Sequence, residues 1–175
     1  MDDDDKQDDS KHQEQLKRKS PPIRGATALP GKDADSEDVE ASCGAFGYMR
    51  GIRDHCASVE FRFRDGNSIW FPYSWLGTCQ YDPSSGLLLK FSGDLVYLVL
   101  IRGSNINQPL NEGSTNLTHA GLQKHRVLWV REMSEEEIHR VGGKGPTIDS
   151  IEVAEFESNT KLQEWLSKYA PEFAK

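Results

Sequence analysis

An acid, a base and a thiol are consecutive at positions 54–56, which read Asp-His-Cys. A catalytic triad needs these three groups side by side, whereas neighbouring side chains of an extended chain point to opposite faces. The chain also contains no Gly-x-Ser-x-Gly elbow. A thiol-dependent enzyme, with Cys56 or Cys79 meeting His119 or His125 through folding, is therefore our third and least favoured hypothesis.

The metal-ligating residues are too widely spaced to predict a metal site. Cys43, Cys56 and Cys79 include no Cys-x-x-Cys pair, and the histidines lack the spacing that places two ligands on one helix face. The glycine-rich stretch 142–146 lacks the Ser or Thr that follows Gly-Lys in a phosphate-binding loop, and no dinucleotide fingerprint occurs. The sequence predicts no metal, no cofactor and no catalytic residue.

Aromatic side chains are concentrated between positions 70 and 81, where five occur within twelve residues. Two arginines precede them on what we interpret as the neighbouring strand. Exposed rings beside guanidinium groups form hot spots in protein interfaces and also stack on nucleic-acid bases. We predict a binding surface composed of Arg62, Arg64, Trp70, Tyr73 and Trp75.

The strand that must position the arginines is the clearest element of the sequence. Between positions 59 and 63 apolar and charged residues alternate, which is typical of a half-buried strand, and Asp-Gly-Asn at 65–67 predicts a hairpin. A three-residue loop would place Trp70 opposite Arg62, in a cation–π contact. A two-residue loop would instead pair Trp70 with Phe61. We favour the first register because it places two aliphatic–aromatic pairs inside.

Further elements define the fold class. The segment Leu95–Ile101 is apolar at every position, which predicts a central strand covered on both faces. Apolar residues at 162, 165, 166 and 169 predict a C-terminal amphipathic helix. We expect an α+β fold: a twisted, mostly antiparallel sheet of about five or six strands, with this helix and short helices covering one face.

Most of the net negative charge of the chain lies before position 43. Residues 1–42 carry a net charge of −5 out of the total of −7, and they contain no aromatic residue. This composition is typical of a disordered arm, followed by a single domain over 43–175. Residues 1–6 match the recognition sequence of enteropeptidase, so both an engineered leader and a native acidic start agree with them.

Composition also limits the classes of partner. The longest apolar run has seven residues, against roughly 20 in a membrane helix, so we expect no membrane contact and a cytoplasmic location. The negative charge disfavours nucleic acid as a partner. Our first hypothesis is therefore a non-catalytic protein-interaction module using the aromatic and arginine surface. The alternative is a single-stranded nucleic-acid binder using the same rings, and the oligomeric state stays open.

Overall fold

The computed structural model of this chain describes residues 40–50, 55–110 and 115–174. These residues form nine strands and two α-helices. The strands are β1 (Glu40–Ser42), β2 (Phe46–Met49), β3 (Ser58–Arg62), β4 (Ser68–Pro72), β5 (Leu76–Asp82), β6 (Gly86–Ser92), β7 (Val96–Arg102), β8 (Val127–Arg131) and β9 (Ser150–Phe156). The helices are α1 (Glu135–Val141) and α2 (Asn159–Tyr169). Within the described residues, no helix reaches the length and apolarity that a bilayer crossing requires.

The last three residues of the segment predicted to be a disordered arm form a strand. Strand β1 starts at Glu40 and pairs with β2, whereas we expected the domain to begin at Cys43. The rest of the predicted disordered arm, residues 1–39, lies outside the described residues.

The strands form two mostly antiparallel sheets, so the fold is α+β, but the prediction of one sheet with five or six strands is wrong. One sheet has five strands in the order β1-β2-β8-β3-β4, and the other has four in the order β5-β6-β7-β9. Within the first, β8 runs parallel to β3 and antiparallel to β2. Hydrophobic alternation identifies a strand but not its neighbours, which is why the division into two sheets could not be predicted.

A shared core fills the space between the two sheets. Phe61 and Phe71 from the five-stranded sheet contact Phe91 from the four-stranded sheet, and all three rings are buried. The rings of Phe71 and Phe91 stack with their centroids 4.6 Å apart. This aromatic cluster stabilises the inner face of both sheets.

A second core lies on the opposite face of the four-stranded sheet. Leu98 and Leu100 of β7 belong to it, together with Leu162 and Leu166 of α2 and with Phe173. Because the alternate residues of β7 belong to the shared core, this strand is buried on both faces, as its uninterrupted apolar sequence predicts.

The β3–β4 hairpin turns one residue earlier in the chain than in the preferred register. Arg62 pairs with Ser68 and Glu60 pairs with Trp70, so the preferred register is wrong by two residues. The cause is the position of the three-residue loop: the amide of Phe63 donates to the carbonyl of Asn67, so the loop covers residues 64–66 and not 65–67. A shift of two residues leaves every side chain on its predicted face of the sheet.

Candidate functional site

The five-stranded sheet has one face that carries polar and aromatic side chains instead of a core. We call it the outer face, because it points away from the shared core. Its position follows from the alternation along β2, β3, β4 and β8. It is formed by Gly47, Glu60, Arg62, Ser68, Trp70, Trp129 and Arg131.

Trp70 is the most exposed large apolar side chain among the described residues. Its exposed fraction is 61%, although it lies at the middle of β4. The cation–π contact that we predicted between Trp70 and Arg62 does not form. The guanidinium of Arg62 instead lies 4.6 Å from the ring centroid of Trp129, on the opposite neighbour of β3.

Trp129 is the residue of this face that sequence reasoning missed. Arg62 lies over its ring, and a Cβ on Gly47 would come within 2.3 Å of its Nε1. The same Nε1 donates a hydrogen bond to the carboxylate of Glu40 at 2.9 Å. The sequence contains one indication of this position: Trp129 and Arg131 lie on either side of the apolar Val130, so they share the face of the strand opposite to Val130. Trp129 is held in place by its neighbours, in contrast to Trp70.

An open cleft of about 590 Å³ lies on this face beside the β3–β4 hairpin. Three arginines and three glutamates are among its lining residues: Arg62, Arg64, Arg131, Glu60, Glu132 and Glu137. The opposite charges balance, so the cleft does not concentrate charge of one sign.

Two of the three arginines are paired with carboxylates. Arg62 lies 2.6 Å from Glu60, and this hydrogen bond is the main cause of the lowered pKa of Glu60. Arg131 holds Glu137 through both carboxylate oxygens, and the hydrogen bonds lower the pKa of Glu137 to about 2. These pairs fix the positions of the charges in the cleft.

Arg64 connects the hairpin to the chain that leads into β9. Its guanidinium donates to the carbonyl oxygens of Met133 (2.8 Å) and Asp149 (3.0 Å). Its amide donates to the carboxylate of Glu132, which also accepts the amide of Ile151 in β9. The predicted binding residue Arg64 therefore has a structural role that joins the two sheets.

Tyr73 does not lie on the accessible surface that we predicted for it. Its side chain is 3% exposed, its hydroxyl donates to the carbonyl of Val127 at 2.8 Å, and its ring stacks on His125. The reason is Pro72, which ends β4 and is followed by a 3₁₀ turn that carries the chain toward the other sheet.

Trp75 is also separated from Trp70. It is half-buried against the shared core, and its ring lies over Gly93 in the connection between β6 and β7. The structure therefore places Arg62 and Trp70 on the five-stranded sheet and Arg64 in its β3–β4 loop, whereas Tyr73 and Trp75 lie in the turn that leaves the sheet.

Two of the three thiols, Cys43 and Cys79, lack the electrostatic environment of a catalytic nucleophile. Burial raises the pKa of Cys79 to about 11 and also raises the pKa of Cys43. A reactive thiol requires a lowered pKa instead. The backbone amide of Cys56 donates a hydrogen bond to the backbone carbonyl of His125. Asp54 lies outside the described residues, within which no group of three or more metal-ligating side chains is assembled.

No protein-family model matches the chain, and it matches neither a curated protein nor a solved structure. The geometry of the outer face is therefore the basis for a functional proposal.

Proposed function

We propose that this domain is a non-catalytic protein-interaction module that binds its partner on the outer face of the five-stranded sheet. Trp70 is the centre of the proposed surface, and Arg62 and Arg64 form its polar rim. The observation that carries this proposal is the 61% exposure of Trp70 on a sheet whose opposite face is filled by the core.

The energetics of protein interfaces favour this role for Trp70. A tryptophan side chain has a large apolar area and few rotatable bonds, so it gains much by desolvation at little entropic cost. The Arg62–Glu60 and Arg131–Glu137 pairs beside it are held in place by charge-assisted hydrogen bonds. Such preorganised polar groups form the rim of an interface without being reordered on binding.

The same surface suits a nucleic-acid ligand less well. Single-stranded binding uses several free rings along a basic groove. Of the aromatic residues on the outer face and in the turn that follows β4, Trp129 is covered by Arg62, Tyr73 is buried and Trp75 is half-buried, which leaves Trp70. The balanced charges of the cleft add no general attraction to phosphates. We keep nucleic-acid binding as the alternative.

We place the proposed interaction in the cytoplasm. Cys43 and Cys79 are free cysteines, and unpaired thiols persist in a reducing compartment. The raised pKa of Cys79 and Cys43 gives the thiol-dependent enzyme no support.

A matched pair of variants tests the proposal. Trp70 and Tyr169 have nearly equal exposed fractions, 61% and 58%, but Tyr169 lies on α2 and not on the outer face. The full chain with the photo-cross-linker p-benzoylphenylalanine at position 70 should form a discrete cross-linked product in its native cells. The same residue at position 169 should not form that product. Identical products from both positions would refute the outer face as the binding surface.

The nucleic-acid alternative is tested by tryptophan fluorescence. At low salt, titration with mixed-sequence single-stranded DNA or RNA oligonucleotides should leave the emission unchanged. A saturable change that Trp70→Ala abolishes and Tyr169→Ala retains would replace the protein partner by nucleic acid.

A further inference from the structure

Strand β4 forms one edge of the five-stranded sheet. It pairs with β3 on one side, and among the described residues no strand pairs with its other side. An edge strand presents a row of backbone donors and acceptors that another extended chain can pair with.

The hydrogen-bond pattern identifies the groups on the free side of β4. The amides of Phe63 and Tyr73 donate to carbonyls across the hairpin, so the odd-numbered residues of β4 point their backbone groups at β3. The even-numbered residues therefore point theirs outward. Ser68 and Trp70 each offer an N–H and a carbonyl, whereas Pro72 has no N–H to offer.

The other edges of the two sheets are protected against strand addition, each in a different way. Within the described residues, β1 has three residues and carries the charged Glu40, and β5 contains an irregular register between Leu76 and Cys79. Strand β9 carries Glu152 and Glu155, and its Ile151 amide is bonded to a glutamate side chain. Short strands, bulges and charges are the usual means of blocking an edge.

Strand β4 lacks these protections. Its five residues, Ser-Ile-Trp-Phe-Pro, contain no charge, and its pairing with β3 is regular from end to end. The only blocking residue is Pro72, at its last position. Two apolar side chains flank the free edge: Trp70 is exposed on the outer face, and Ile69 is half-buried on the inner face.

We propose that the edge of β4 binds an extended, uncharged segment of a partner protein as an additional strand of the sheet. This proposal rests on the interaction function proposed above and specifies its mode. The segment places a β-branched or aromatic residue beside Trp70 and an apolar residue beside Ile69, because such cross-strand pairs stabilise sheets most. The backbone carbonyls of the segment accept hydrogen bonds from the N–H groups of Ser68 and Trp70. Its own N–H groups donate to the outward carbonyls of β4.

A second copy of this chain is a poorer occupant of the same edge. A symmetric antiparallel pair centred on Trp70 would set the ring of Pro72 against the carbonyl of Ser68 in the other copy. A pair centred on Ile69 would overlap over three residues only. Neither arrangement pairs the full length of β4 through a complete set of backbone hydrogen bonds.

The test is a selection of phage-displayed random heptapeptides on the full chain, followed by affinity measurements with the selected synthetic peptides. Two variants separate the ring from the backbone donor: Trp70→Ala removes the ring, and Trp70→Pro removes the ring and the outward N–H. Because this N–H is not used in the hairpin, both variants should keep the fold, which circular dichroism and thermal melting check.

We expect Trp70→Pro to weaken binding by at least about tenfold more than Trp70→Ala, since it also removes a hydrogen bond to the peptide. Methylation of alternate peptide nitrogens should abolish binding to the unaltered protein, and methylation of the intervening ones should not. This second measurement does not depend on the folding of any variant.

Equal affinities of the alanine and proline variants, with no effect of peptide methylation, would overturn strand addition. If Trp70→Ala nevertheless weakened peptide binding, the proposal that the outer face binds a partner would still stand, and strand addition alone would be refuted. Failure to select any peptide that depends on position 70 would overturn strand addition, while the cross-linking result would still decide the proposed function. A dimer in sedimentation equilibrium that Trp70→Pro dissociates would assign the edge to a second copy and overturn the proposal.

Discussion

The two sheets differ in how many of their faces are buried. The four-stranded sheet lies between the shared core and a second core that includes Leu162 and Leu166 of α2. The five-stranded sheet is packed on its inner face and carries Trp70, arginines and glutamates on the other. One sheet is therefore covered on both faces, while the other leaves side chains such as Trp70 exposed on one face.

The burial patterns of the strands differ in the same way. Strand β7 is apolar at six consecutive positions, Val96–Ile101, as a strand with two buried faces must be. Strand β3 alternates buried and partly exposed residues. Substitutions should therefore have effects on stability that depend on the sheet and on the face.

The largest loss of stability should come from the core that the sheets share. Phe91→Ala removes a fully buried ring that contacts Phe61 and Phe71, and it should lower the free energy of unfolding by about 3–5 kcal/mol. Trp70→Ala removes a larger ring from the outer face and should change it by less than about 0.5 kcal/mol. Urea denaturation measures both, and similar losses would contradict the division between the faces.

A smaller loss should follow from the second core. Leu162→Ala should cost about 2–3 kcal/mol, at the lower end for a buried leucine because Leu162 already borders a cavity of about 270 Å³. Thermal melting and urea denaturation measure this effect. An unchanged stability would mean that α2 does not protect the outer side of β7, and the contrast between the sheets would disappear.

Two glycines test the packing of tryptophan on the outer face. In Gly47→Ala the added methyl would overlap the ring of Trp129, so we expect a loss of about 1–2 kcal/mol and altered tryptophan emission. Gly77→Ala in β5 is the control, since its nearest neighbour would be a carbonyl at an ordinary 3.7 Å. Equal effects of the two substitutions would show that Trp129 is not seated on Gly47.

The smallest effect concerns the ion pair between Arg131 and Glu137. Because the pKa of Glu137 falls from 4.5 to about 2 on folding, the pair stabilises the protein above pH 4.5, and this contribution is lost as the pH falls toward 2. Glu137→Gln keeps the capping residue of α1 but removes the charge. It should cost less than about 1 kcal/mol at pH 7, because the pair is partly exposed.

The pH dependence gives the decisive measurement for that pair. Between pH 4.5 and 2, the stability of the variant should fall less steeply than that of the unaltered protein. Parallel curves from urea denaturation at several pH values would show that Arg131 does not lower the pKa of Glu137.

Local elements could be predicted well from the sequence. The strand over Val127–Arg131 and the capping box of Ser134 and Glu137 are both confirmed, because each depends on residues close in sequence. Leu162 and Leu166 likewise lie buried in a helix that begins after Ser158. Periodicity and capping are local properties, so a single sequence contains them.

The arrangement of the candidate site could not be predicted to the same extent. The exposure of Trp70 follows from alternation along β4, but the contact of Arg62 with Trp129 depends on β8 pairing with β3. Proximity in the sequence groups Tyr73 and Trp75 with Trp70. The 3₁₀ turn after Pro72 separates them, and its direction is set by contacts with distant residues such as Val127.

The position of β8 has a consequence for the synthesis of the protein. This strand lies between β2 and β3, yet the ribosome makes it long after both of them. Until Val127–Arg131 has been translated, the facing edges of β2 and β3 have no partner, and long-range pairing of this kind forms slowly. The nascent chain therefore completes the outer face, with Trp129 and Arg131, only after Val127–Arg131 has been translated.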